Sequence, residues 1–191
     1  MTKLLEAIEK DIHTQAGPIM KMALFTGMRR GELFKLRWKD VNFEKGFILP
    51  KDPKGGPDQK IPLNDAARDL LKLCSRSKSP YVFPGRNGKQ RTDIHHAVNK
   101  IRDKAGLPKE FRALHGLRHV YESMLASSGE VDMYTLQKLL THKSPVMTQR
   151  YAHLRNEALK RASQVAGAII NSAMKADEKV INLEEVKNLE P

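Results

Sequence analysis

The side chains with most chemistry to offer are gathered in one stretch, His115 to Tyr151. It opens His115-Gly116-Leu117-Arg118-His119-Val120-Tyr121 and closes Leu139-Leu140-Thr141-His142-Lys143-Ser144-Pro145, then Val146 to Tyr151. On a helix His115 and Arg118 project on one side, while Leu114, Leu117, Tyr121, Met124 and Leu125 make the apolar side. An imidazole and a guanidinium are therefore offered together. A second apolar run, Leu136, Leu139 and Leu140, leads directly into His142 and then, through a turn at Pro145, to Arg150 and Tyr151. Another imidazole and a phenol thus stand where a short helix ends. Upstream, Arg29 and Glu32 lie one turn apart, and Lys54 sits in a loop rich in Pro and Gly. Taken singly, each feature has an ordinary reading. His115 with Arg118 reads as a surface pair, His142 as a helix C-terminal charge and Tyr151 as a half-buried aromatic. Arg29 with Glu32 reads as a salt bridge worth a few tenths of a kcal/mol.

Composition narrows the setting. With 191 residues, 40% of them hydrophobic, the chain can bury one core, and two full domains would be a tight fit. The 34 Lys and Arg against 22 Asp and Glu give a formal charge of +12, which favours polyanionic partners through counterion release and steering. Nucleic acid is the first candidate, beside the plainer reading of a merely soluble basic protein. Cys74 is the single cysteine and falls in the apolar row Ala67, Leu70, Leu71. An internal disulfide or a zinc cluster of cysteines cannot be built from it. Lys3, Glu6, Glu9, Lys10 and Asp11 interrupt every apolar run near Met1, so no signal peptide is read there. No segment is long enough to span a bilayer. A cytosolic protein with no membrane partner is expected.

In order and wording these boxes resemble the tyrosine recombinase (phage integrase) family. The resemblance rests on His115-x-x-Arg118, on Leu139-Leu140-x-His142 with Tyr151 nine residues on, and on Thr26-Gly27-Met28-Arg29-Arg30-Gly31-Glu32-Leu33, which is similar to the family's first arginine box. Lys54, eight residues before Pro62, sits where the family's catalytic lysine sits on a β-turn, although Lys51 and Lys60 flank the same loop. The resemblance implies the tyrosine recombinase catalytic-domain fold and a site of Arg29, Lys54, His115, Arg118, His142 and Tyr151. Tyr151 would attack a DNA phosphorus in line and become joined to the 3′-phosphate. A phenol ionises near ~10, so Arg29 and Arg118 must help it. Their planar, always-charged guanidiniums suit the two non-bridging oxygens. Lys54 would protonate the departing 5′-oxygen. His115 would exchange a proton with Tyr151 or bond the phosphate, His142 would donate to a non-bridging oxygen, and Glu32 would orient this shell. Arg30 and Arg150 are expected on backbone phosphates, and Arg91 on a DNA-facing surface. His119 belongs to the family-like string but is left outside the site. No metal or other cofactor is called for, because the arginines stabilise the charge a divalent ion otherwise would. The partner implied is double-stranded DNA, bound by four copies of the chain, with accessory DNA-bending proteins left open.

These residues need elements to hold them, and the pattern supplies a mainly α fold with a small three-stranded antiparallel β-sheet. Leu4, Leu5, Ile8 and Ile12 recur at helical spacing, and a second helix runs from Pro18 to about Thr26, with Gly27 as a left-handed cap. A third is expected over Arg29 to Trp38. Val41 to Phe43, Phe47 to Leu49 and Lys60 to Leu63 read as the strands; the turn-rich finger Pro50 to Gln59 carries Lys54. Asn64 caps a helix through Ala67, Leu70, Leu71 and Cys74, and Thr92 is expected to cap another through Ile94, Val98 and Ile101, closed by Gly106. Leu159, Ala162, Ala166, Ile169 and Ile170 describe a last amphipathic helix starting from Asn156. Residues 1–176 are read as the catalytic domain. From Asp177 to Pro191 the charge turns acidic among apolar residues, as suits a tail that docks on a neighbouring protomer.

Two departures stand out. Thr141 replaces the glycine of the family's usual Leu-Leu-Gly-His, and only Met1 to Phe25 precede the first arginine box, where the family generally carries a DNA-clamping domain. A catalytic fragment, or a short protein that binds DNA weakly by itself, is expected. Two other readings stay open: a type IB topoisomerase, which resembles this family in fold and site, and a DNA-binding module that does not cut. The Arg29 box and the Leu-Leu-x-His turn favour the recombinase.

Overall fold

The computed structural model describes residues 2–11, 14–49, 60–74, 78–142, 144–154 and 159–172. Helix α2 (Ala16–Thr26) is apolar almost all round, and Ala16, Ile19, Met20, Met22 and Ala23 have no solvent exposure. A helix of that character has to be surrounded. Its neighbours are α1 (Thr2–Glu9), α3 (Arg30–Lys35), α4 (Asp65–Leu73), α5 (His95–Lys104) and α6 (Ala113–Ser128). Gly27 ends α2 at φ 65°, and its N–H bonds the carbonyl of Ala23. Glycine is required there twice over, since the backbone is left-handed and a Cβ would come within 2.6 Å of the Tyr121 ring.

The helix expected over Arg29 to Trp38 is cut short at Lys35. The backbone that would have continued it pairs with another segment: the Leu36 carbonyl accepts from Val82 N–H at 2.9 Å, and Trp38 N–H donates to the Pro80 carbonyl at 3.0 Å. Leu36 extends and buries its side chain as a result. The sheet then follows in the order β1 (Val41–Asn42), β2 (Phe47–Ile48), β3 (Ile61–Pro62), antiparallel throughout. Ile48 faces Ile61 in register and both are buried, so this small sheet is anchored by one face.

Asn64 caps α4 as its type predicts, its Oδ1 accepting from Ala67 N–H at 2.9 Å. Its amide also donates to the Phe25 carbonyl at 2.8 Å, tying α4 to the end of α2. Thr92 does not cap α5. Asp93 accepts from His95 N–H at 3.0 Å instead, because the helix begins later than the apolar spacing suggested. Asp132 caps α7 (Met133–Leu139), and Ser144 caps α8 (Pro145–Gln149), whose first turn holds the proline.

The core has two parts. The larger surrounds α2, and a smaller one holds Ala126, Leu136, Leu140 and Tyr151, with Tyr121, Leu125 and Leu154 packed against it. Helix α6 borders both. The helical stretch 159–172 leaves Leu159, Val165, Ile169 and Ile170 exposed; Arg161 links it to the Ser127 carbonyl at 2.7 Å. Asn156 and the tail 177–191 lie outside the described residues. Among the described residues no helix is long and apolar enough to cross a membrane.

Candidate active site

Arg29 is delivered by the N-terminus of α3. Its side chain turns inward at the first helical turn, where Glu32 accepts from both its backbone N–H (2.8 Å) and its Nη1 (3.0 Å). Nη1 also donates to Thr141 Oγ1 at 2.6 Å, and Nη2 to the Thr141 carbonyl at 3.1 Å. Thr141 stands at φ 52°, a left-handed position that a β-branched residue seldom takes. In exchange, its hydroxyl holds a guanidinium across 112 residues of sequence.

Arg118 comes from the buried side of α6. Its Nη1 donates to the Gly27 carbonyl, its Nη2 to the Leu140 carbonyl at 2.6 Å, and its Nε to Glu122 at 2.9 Å. One guanidinium therefore joins the end of α2, the end of α7 and its own helix. Burial pushes its pKa below the usual arginine value, and the like charge of Arg29 adds to this.

Glu122 is the residue that sequence reasoning missed. It is 2% exposed, and four candidate functional groups converge on it. Oε1 takes Arg118 Nε and lies 3.5 Å from His142 Nε2; Oε2 lies 3.0 Å from His119 Nδ1 and accepts from the Tyr151 hydroxyl. Burial alone would raise its pKa. The hydrogen bonds from His142 and Tyr151 and the charges of Arg118 and His119 outweigh that, and hold it at about 2. The signal was in the sequence, since an acid four residues after Arg118 on a helix must share its face.

His119, set aside on sequence grounds, is brought in as well. Its Nδ1 contacts the Tyr151 hydroxyl and its Nε2 lies 2.8 Å from His115 Nε2, the rings meeting edge to face at 4.2 Å. Burial lowers the pKa of His115, helped by the neighbouring His119. His142 Nδ1 pairs with Thr148 Oγ1 at 2.9 Å, which fixes its ring from α8. Tyr151 is 6% exposed, its ring in the smaller core and its hydroxyl turned to Glu122 and His119. Burial, then the Glu122 carboxylate, push its pKa far above that of a free phenol.

A cavity of ≈ 860 Å³ opens beside this cluster. Arg29, His115, Arg118, His119, Glu122 and His142 line it, and Arg30, Arg112 and Arg150 carry its basic wall outward. Arg30 lies 3.3 Å from His95 Nε2. Arg91 is elsewhere: its Nη2 donates to Gln15 Oε1 at 2.6 Å and its Nε to the Phe83 carbonyl at 3.4 Å. Lys54 lies outside the described residues. The arrangement can bind an anion between guanidiniums and imidazoles, next to a phenol whose proton is already engaged.

Comparison with known proteins agrees with this geometry. The phage integrase family matches residues 1–158. The tyrosine recombinase XerA of Pyrococcus furiosus is 32% identical over 174 residues, which is 88% of this chain and 60% of XerA. XerH of Campylobacter jejuni is 28% identical over 183 residues, 90% of this chain and 51% of XerH. The chain thus spans between half and two thirds of the length of these relatives. Among solved structures, XerA recombinase superposes with a TM-score of 0.67 at 26% identity, over 86% of this chain and 60% of that one. The catalytic domain of bacteriophage HP1 integrase does so with a TM-score of 0.63 at 25% identity, over 85% of this chain and 89% of the domain. Of the two strand-breaking alternatives, these names fall on the recombinase side.

Proposed function

Because the chain belongs to the phage integrase family, we propose that it is the catalytic part of a site-specific recombinase that cuts and rejoins double-stranded DNA through a 3′-phosphotyrosine on Tyr151. The observation that carries this reading is the convergence of Arg118, His142, His119 and the Tyr151 hydroxyl on one point beside a basic cavity. A phosphodiester entering that cavity meets Arg29 and Arg118 as charge stabilisers for the phosphorane, and His142 as a donor to a non-bridging oxygen. The Tyr151 oxygen forms the bond to phosphorus while the bond to the 5′-oxygen breaks. The phenol's proton leaves through the His119 and His115 pair, and the 5′-oxygen takes one from Lys54. Attack by a 5′-hydroxyl from another strand reverses these steps and releases the tyrosine.

Resemblance to the HP1 domain supports an integrase of a phage or mobile element, acting on DNA in a prokaryotic cytosol. Four copies on DNA, linked by the tail 177–191, would let the strands be exchanged in turn. Equal masses on DNA with and without that tail, in equilibrium sedimentation, would remove the linking role.

The deciding test is a duplex nicked beside a candidate scissile phosphate, so that the short 5′ fragment diffuses away and the adduct is trapped. A covalent protein–DNA band on a denaturing gel, lost in Tyr151→Phe, is the expected result. A band that persists in Tyr151→Phe would remove Tyr151 from the role. If no band forms even when a DNA-clamping domain is fused to the chain, the chain binds DNA without cutting it.

A further inference from the structure

Two features of the site pull against each other. The two arginines proposed as charge stabilisers already have a carboxylate each, Arg29 with Glu32 and Arg118 with Glu122. An arriving phosphate therefore meets guanidiniums whose charge is largely spoken for. Tyr151, for its part, is not among the residues that line the cavity, and its hydroxyl is engaged by Glu122, which is.

Glu32 and Glu122 differ in what else they hold. Among the described residues, the Glu32 carboxylate bonds only the backbone N–H and side chain of Arg29. Glu122 holds the nucleophile itself and reaches Arg118, His119 and His142. Three of these four groups are the ones a scissile phosphate would be held by or attacked by in the function proposed above. An anion built into the protein and an anion of the substrate are thus competing for one set of partners.

We propose that Glu122 is a positioning residue that stands in for the scissile phosphate in the free protein and restrains Tyr151 until the DNA takes over its cations. The inference rests on the assignment of Tyr151 as nucleophile. Glu122 does not act as the proton acceptor in this scheme. A carboxyl held at about 2 is far too weak a base for a phenol pushed above its ordinary value. Its effect is the reverse, since a negative charge on the hydroxyl's hydrogen-bond acceptor disfavours the phenolate. When a phosphate draws Arg118 and His142 toward the cavity, Glu122 loses the contacts that fix it, and the hydroxyl is released to turn toward phosphorus. Restraint and release fall to the same carboxylate.

The test uses the full chain as wild type, Glu122→Gln, Glu122→Asp and Tyr151→Phe, with Tyr151→Phe also combined with each Glu122 variant. Glutamine removes the charge and keeps the shape. Aspartate keeps a charge for Arg118 but draws it back from Tyr151, which covers the case in which the glutamine form does not fold; circular dichroism reports which forms are folded. The first readout is the rate of adduct formation on the nicked duplex between about pH 6 and pH 9. The limb that rises with pH is expected at least about one unit lower in Glu122→Gln, about tenfold faster at neutral pH, with Glu122→Asp between. A slower reaction would make Glu122 a proton acceptor, and an unmoved profile would leave it with a structural role only; either result overturns the proposal.

The second readout needs no DNA. Phenolate absorbance is followed through the alkaline range in which the protein stays folded, and the Glu122 variants are expected to release one more phenolate than wild type. That phenolate should be missing when Tyr151→Phe is added. Equal counts in wild type and variants overturn the restraint. Absence of adduct from every form would overturn strand cleavage as the function, and the phenolate count would then decide the role of Glu122 independently.

Discussion

Thr141 shows how one residue can work against its own backbone. Its left-handed φ of 52° costs a β-branched residue about 1 kcal/mol or more, while its hydroxyl holds the charged Arg29 Nη1, a bond worth about 1.5–3 kcal/mol. Thr141→Gly trades one for the other and should change unfolding stability by less than about 1 kcal/mol. Thr141→Ala keeps the strain and loses the bond, so urea unfolding should find it about 2 kcal/mol less stable than wild type. Glu122 makes a prediction in pH. Its folded pKa of about 2 lies below the ordinary 4.5, so its contribution is complete above about 4.5 and disappears as pH falls through the folded value. That contribution is on the order of 3 kcal/mol. Acid unfolding of Glu122→Gln should accordingly be flatter across this window, from a lower starting stability. Arg29, His115, Arg118, His142 and Tyr151 were singled out through the family resemblance that the joint order of their boxes carries, since each alone reads as an ordinary pair, helix-end charge or half-buried aromatic. Glu122 was equally visible as a helical partner of Arg118 but was not singled out, because its contacts to His142 and Tyr151 come from segments beyond its own helix and leave no trace in helical spacing. The engagement of Tyr151 was not legible at all, since it depends on the chain after α8, from Tyr151 to Leu154, folding back against α6.

At the scale of elements, α6 is the ruler of the site. His115, Arg118, His119 and Glu122 are all fixed by its pitch, and the smaller core decides how α7 and the segment from Tyr151 to Leu154 lie against it. Leu136 is fully buried in that core. Leu136→Ala should cost about 2–5 kcal/mol and should also loosen Tyr151, so adduct yield should fall more than the unfolded fraction explains. Asn64→Ala removes a cap and a tie to α2, and thermal unfolding should register a loss of about 1 kcal/mol. The third helix was read too long because helical spacing in Arg29 to Trp38 was real while its competitor, backbone pairing with Pro80 to Val82, is distant in sequence. The start of α5 was misplaced by two residues: Thr92 is a capping type, yet the cap position falls on Ile94, and Asp93 beside it takes the first helical N–H.

For the molecule as a whole, the proposed binding of duplex DNA by a chain of charge +12 predicts an affinity that falls linearly in log salt, by about 0.9 per phosphate neutralised. Arg30→Ala and Arg150→Ala, on the cavity's basic wall, should each lower that slope by about 1. Arg91→Ala should leave the slope alone and weaken the fold, because its guanidinium is bonded to Gln15 and Phe83. Fluorescence anisotropy at several salt concentrations, with urea unfolding beside it, separates the two outcomes. Under the proposed function, Arg118 carries a practical consequence for anyone wanting a silent decoy, a protein that occupies DNA without acting on it. Because its guanidinium clips together the ends of α2 and α7, deleting it would loosen the scaffold along with the chemistry, and the resulting reagent would report on misfolding. The hydroxyl of Tyr151 sits at the rim of the smaller core and is the atom to remove.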